Sequence, residues 1–264
     1  MFTSVRGLIA ASLLAGSMLA ATPAFADETD PPKAITVTGN VALVSDYRFR
    51  GLSQTAGDPA VQGSINLNHS SGFYVGFWAS NTEFSNLGVI PDKTYGNLEL
   101  DLYGGWTGAV APGLTADAGL LYYAYPSGHF GKAEYFEPYA SLSTTLGPVS
   151  AKVGAAYAWK QTALDFNGDG KKDDNIYVYG DLGAGIPSTP ISLSAHLGYT
   201  KGALSPKFAT GKSANFDGGF DYSLGASFNI TPKLSIGAAY VGVDGTSIKN
   251  YSDDTVVGTL KLTF

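Results

Sequence analysis

ITVTGNVALVSDYRFR, residues 35–50, sets Ile35, Val37, Val41, Leu43, Tyr47 and Phe49 at odd positions, with Gly39 and Ser45 between them. The even positions hold Thr36, Thr38, Asn40, Ala42, Val44, Asp46, Arg48 and Arg50. Side chains of a strand alternate sides, so this is one strand with a greasy face and a wet face. A strand this long with so clean an alternation suits a wall between lipid and water better than a half-buried layer of an ordinary core.

Upstream, Arg6 supplies a basic region, Gly7 to Ala21 a short apolar run, and Ala24-Phe25-Ala26 an A-x-A cleavage site. The expected division is a signal peptide over 1–26 and a barrel domain over 27–264, with no linker or second domain. No later apolar run approaches the roughly 18 residues of a spanning helix. The chain has no cysteine, which excludes disulfides and thiolate chemistry. Its formal charge is −6, one unit more acidic without Arg6, and that balance argues against nucleic acid as a partner. Thirty-four glycines and 16 tyrosines in a chain only 14% charged favour strands and tight turns over helices.

Downstream the alternation recurs in twelve segments, at 35–50, 59–69, 73–80, 95–106, 114–125, 134–146, 149–160, 175–186, 191–201, 219–230, 233–243 and 255–264. Tight connections (70–72, 107–113, 147–148, 187–190 and 231–232) alternate with longer polar ones. An even strand count with short turns at one end and long loops at the other is the pattern of a transmembrane, antiparallel, up-and-down β-barrel. The outward faces carry Leu98, Leu102 and Trp106, Val149, Val153, Tyr157 and Trp159, and Phe220, Tyr222, Leu224 and Phe228, with aromatics toward the ends as interfacial girdles require. The last segment ends on Phe264, like the assembly signal that the outer-membrane barrel assembly machinery reads. These features place the chain in the outer membrane of a Gram-negative bacterium, with membrane lipid and that machinery as partners.

Several stretches also carry a family resemblance: Ser45-Asp46-Tyr47-Arg48-Phe49-Arg50-Gly51, Ser53-Gln54-Thr55, Pro59-Ala60-Val61-Gln62-Gly63, and Ser71-Gly72-Phe73-Tyr74 through Trp78 to Ser80-Asn81. Residues 35 to 81 resemble the TorF-type porins, a proteobacterial outer-membrane family first catalogued as conserved hypothetical proteins. Echoes follow at Glu99 to Trp106 and Tyr122 to Pro126. The resemblance implies a porin-like barrel and brings no substrate and no catalytic residues.

If the barrel is a pore, its inward positions set selectivity. The candidates for its lining are Asp46, Arg48, Arg50, Glu99, Asp101, Tyr103, Tyr123, Tyr177, Tyr179, Asp181, His196 and Asp221. Asp46, Arg48 and Arg50 are expected at alternate positions of the first strand near the extracellular mouth, where they either create a transverse field or pair across the interior. Inward tyrosines of strands three to eight could stack a planar solute, or simply fill space. The later strands put Gly154, Ala156, Ser192, Ser194, Gly237 and Ala239 inward, so that half looks roomy.

Asp165, Asn167, Asp169 and Asp173 fall in a D-x-N-x-D-G pattern that resembles a calcium loop, although Ile176 stands where the bidentate glutamate belongs and Lys171 and Lys172 oppose a dication. Ca2+ is thus the one cofactor the sequence raises, and the bland reading is a solvated acidic loop. His69, His129 and His196 form no recognisable triad, so no enzyme is expected. The leading expectation is a channel for passive diffusion of small hydrophilic solutes. The alternative is a closed structural barrel whose loops at 81–94, 161–174, 202–218 and 244–254 contact partners.

Overall fold

Alternation of this kind leaves each strand one way to satisfy its backbone beside lipid, which is to pair on both edges until the sheet closes. In the computed structural model, which describes residues 34–84, 95–128, 133–166, 169–213 and 215–264, that closure occurs. The strands of the barrel are β1 (Ile35–Val44), β4 (Ala60–His69), β5 (Phe73–Asn81), β6 (Leu98–Ala111), β7 (Leu114–Ala124), β8 (Tyr135–Leu146), β9 (Val149–Gln161), β10 (Asp173–Gly185), β11 (Ile191–Gly202), β12 (Gly219–Asn229), β13 (Leu234–Val243) and β14 (Thr255–Thr263). Two short strands, β2 (Arg48–Phe49) and β3 (Leu52–Ser53), form a separate hairpin. All neighbours are antiparallel, and β1 closes the ring against β14 from Asn40↔Thr263 to Val44↔Thr259. Gly39 and Phe264 exchange backbone bonds of 2.9 and 3.0 Å and finish the seam. The proposed signal peptide lies outside the described residues.

Twelve strands close as the alternation requires, and two boundaries move by more than three residues. The first strand stops at Val44, not at residue 50: Arg50 (φ +48°) and Gly51 (φ +83°) turn the chain back, and the Asp46 carboxylate ties Ser53 and Thr55 into the returning arm. β6 runs on to Ala111, so the turn expected over 107–113 shrinks to Pro112-Gly113. The connections at that end span two to five residues, while all long ones lie at the other end.

The two faces separate by solvent. Leu224, Val153, Val256 and Leu182 are more than half exposed and point at lipid. At the long-loop rim, Tyr157, Tyr222 and Tyr240 lay their rings outward and donate their hydroxyls to carboxylates, Tyr157 to Asp174 (2.9 Å) and the other two to Asp254 (3.1 and 2.6 Å). An apolar ring with a wet tip is what an interfacial girdle needs. At the opposite rim Phe73, Phe228 and Phe264 face out, and the Trp106 indole donates to the Ser71 carbonyl (3.1 Å).

Inside, the abundance of glycine and of tyrosine is one feature. Tyr179 lies across from Gly154, Tyr139 from Gly119, Tyr103 from Gly76 and Tyr74 from Gly105, each pair in direct register on neighbouring strands. A Cβ at Gly154 would stand 2.5 Å from the Tyr179 ring, and one at Gly76 2.8 Å from that of Tyr103. Each tyrosine side chain reaches over the bare backbone opposite, which helps the barrel hold so many large side chains on one wall. Gly154→Ala is therefore expected to destabilise the barrel by about 1–3 kcal/mol through overpacking. Gly185→Ala, whose Cβ meets nothing within 4 Å, should leave the urea midpoint in place, and equal midpoints for both would contradict this packing.

Candidate functional site

The segment 45–59 does not stay at the rim. It folds into the long-loop half of the lumen and carries its charges with it: Asp46, Arg48 and Arg50 are all buried, so they line the interior from a loop and not from a strand. Asp46 accepts from Arg48 Nε (2.5 Å), Ser53 Oγ (2.6 Å) and Thr55 Oγ1 (3.2 Å). Arg48 Nη1 donates to the carbonyls of Gly51 (3.2 Å), Tyr251 (3.0 Å) and Asp253 (3.0 Å), which ties this loop to the one between β13 and β14.

Arg50 reaches the far wall. Its Nη2 donates to both carboxylate oxygens of Glu137 on β8 (2.8 and 2.7 Å), and its guanidinium stacks 4.2 Å over Tyr177 and 4.8 Å from Phe49. Tyr123 adds a third hydrogen bond to Glu137 at 3.0 Å. Around this latch the tyrosine wall is packed solid, with Tyr123 stacked on Tyr135 at 4.3 Å and Phe49 edge-on to Tyr123 at 5.9 Å. Tyr47 donates to Glu99 (3.2 Å), and burial, followed by that carboxylate, pushes its phenol well above the ordinary value. Asp101 is fully buried, with neither carboxylate oxygen bonded.

The other half of the lumen is open. A cavity of about 170 Å³ runs from Asn229, Pro232 and Lys233 at the short-turn end to Asp46, Arg48 and Gly51 beneath the inserted loop. At ~10–15 Å³ for each water centre it holds on the order of ten waters. Small residues make the room: Ser223, Ser227, Ser235, Gly237, Ala239 and Thr259 line it. His196 stands on its edge between two carboxylates, with Nδ1 2.6 Å from Asp181 and Nε2 3.0 Å from Asp221, and the Tyr177 hydroxyl closes the group at 2.9 and 3.1 Å.

The twelve candidates from the sequence thus part into three groups. Asp46, Arg48, Tyr103, His196 and Asp221 line the cavity. Arg50, Glu99, Asp101, Tyr123 and Tyr177 belong to the packed half, and Tyr179 and Asp181 are only partly buried beside His196. Glu137 and Asp117, which accepts from Tyr74 at 2.7 Å, were missed. Glu137 is two residues from the inward Tyr139 and shares its face, so alternation alone could have found it.

The calcium pattern does not assemble among the described residues. Asp165 accepts from the Gly170 amide (3.0 Å) and Asp169 from the Lys171 amide (2.8 Å), while Asp173 begins β10, and Asn167 lies outside the described residues. No group of three or more acidic or histidine side chains among the described residues is placed to hold a metal. His69 sits at a short turn against Ser71 (2.7 Å), and His129 lies outside the described residues.

The fold is that of the outer-membrane porins. The NanC porin is similar with a TM-score of 0.56 at 11% identity, covering 87% of this chain and 99% of its own. The KdgM porin is similar with a TM-score of 0.52 at 7% identity, covering 86% and 97%, and again at 0.51 in a structure with disordered oligogalacturonate. No curated protein matches the sequence. A family profile matches residues 28–264, which takes in every strand of the barrel, and by that match the chain belongs to the family described as a bacterial protein of unknown function (Gcw_chp).

Proposed function

We propose that this protein is an outer-membrane channel for passive diffusion of small hydrophilic solutes, exported by a signal peptide cleaved after Ala26 and assembled through its Phe264-terminated last strand. The observation that carries this reading is the water-sized column beside the tyrosine wall, lined by hydroxyls, amides and small residues from the short-turn mouth to the inserted loop. A wall of that composition offers a passing solute exchangeable hydrogen bonds without a deep well. Both the porin fold and the likeness of residues 35–81 to TorF-type porins point the same way. No cofactor or catalytic group enters this reading.

The loop 45–59 narrows the extracellular end, so the channel is a restricted one. A second reading, a closed barrel that acts through its loops, draws on that same insertion and on the buried Arg50–Glu137 pair. Ion conductance of the refolded mature chain in a planar bilayer separates the two. Stable current steps are expected, and their absence from protein shown to be folded would leave the closed barrel standing.

A further inference from the structure

The overall acidity of the chain does not extend to the cavity. On β13, β14, β1 and β4, four neighbours in the barrel, the inward positions carry no carboxylate and a single lysine, Lys261. Acidic side chains collect on the opposite wall, as Glu99 and Asp101 on β6, Asp117 on β7 and Glu137 on β8. Glu99 and Asp101 are sealed in the packed half at 2% and 0% exposure, and neither lines the cavity.

Two carboxylates do line it, and each already has a basic partner: Asp46 holds Arg48 and Asp221 holds His196. Lys261 and, at the short-turn mouth, Lys233 also line it, and neither has a carboxylate within ion-pair distance among the described residues. A solute in the column therefore meets two lysines that have no ion-pair partner among the described residues. Around Lys261 the wall is neutral and rich in donors, with Asn40, Ser235, Thr259 and Thr263 close by on the same three strands. Uncompensated lysines in a narrow aqueous path favour anions, because confinement weakens the screening that bulk salt would provide.

We propose that the channel prefers small anions, with Lys261 setting the preference and Lys233 drawing anions to the short-turn mouth. This rests on the channel reading above, and it gives that reading a solute class.

The test is the reversal potential of the refolded mature barrel in a potassium chloride gradient. Native protein is expected to pass chloride several-fold better than potassium. Lys261→Gln should bring the permeability ratio close to unity, and Lys261→Glu should turn it toward potassium. Both variants are expected to refold, since Lys261 lines the cavity and its side chain makes no ion pair among the described residues; should the glutamate variant fail to fold, the glutamine variant decides. A potassium-selective native channel, or a ratio that ignores these substitutions, would overturn the proposal while leaving the channel intact. A folded native barrel with no current would overturn the channel reading itself, and this one with it.

Discussion

Replacing Arg50 by alanine is expected to free the inserted loop and raise single-channel current several-fold. Among the ties that hold residues 45–59 inside the barrel are the Asp46 cluster within the loop, the Arg48 bonds to the neighbouring loop, the Tyr47 bond to Glu99 on β6 and the Arg50–Glu137 pair on β8. Only the last is an ion pair to the wall. Removing its basic member strands Glu137, 2% exposed, with the Tyr123 hydroxyl as its remaining partner. A buried charge robbed of its counter-ion costs about 3–5 kcal/mol. The inexpensive relief is for water to follow the departing loop into the extracellular half and solvate the carboxylate. Glu137→Gln should act in the same direction and less strongly, because a neutral amide still accepts from Arg50. Current and urea midpoint measured on the same preparations check both effects, and an alanine variant unchanged in either would mean that the pair is not the latch.

The lipid face gives the second large effect. Leu224 stands at the middle of β12, 66% exposed, between Ala195 and Tyr240 on its neighbours. Arginine there should cost about 2–4 kcal/mol of folding free energy in a bilayer, the depth-dependent penalty for a cation at the midplane. Ser223, one residue earlier, faces the cavity, so Ser223→Arg should fold nearly as well as the native chain while narrowing the path. Equal folding losses for the two neighbours would contradict the sidedness on which the membrane assignment rests.

Sidedness was legible in the sequence because a strand has only two faces and the two solvents differ sharply. Strand count, the end that bears the short turns and the inward set of tyrosines follow from the same alternation. The inserted loop was not legible. Asp46, Arg48 and Arg50 keep the alternating rhythm of β1, and what removes them from the strand is a turn at Arg50-Gly51 stabilised by partners far along the chain, Glu137 and Tyr251 among them. Periodicity reports which face a residue occupies if the strand continues; it carries no information on where a distant carboxylate will outcompete the ladder. The glycine–tyrosine pairing was hidden for a related reason. It depends on register between neighbouring strands, which composition does not contain. Lys261 was legible as an inward residue, and its importance emerged only once the four surrounding strands were seen to offer it no acid.

In the proposed channel, solutes pass along the small-residue wall of β12 to β14 and β1. Ala239 lines that wall between Gly225 and Val257, and Ala238 beside it points to lipid. The most direct measurement is single-channel conductance of Ala239→Trp against Ala238→Trp in planar bilayers, each beside the native barrel. Tryptophan at 239 is expected to abolish most of the current, and tryptophan at 238, welcome among lipid, to leave it at the native level. Native current through the Ala239→Trp barrel would mean that solutes do not pass along this wall.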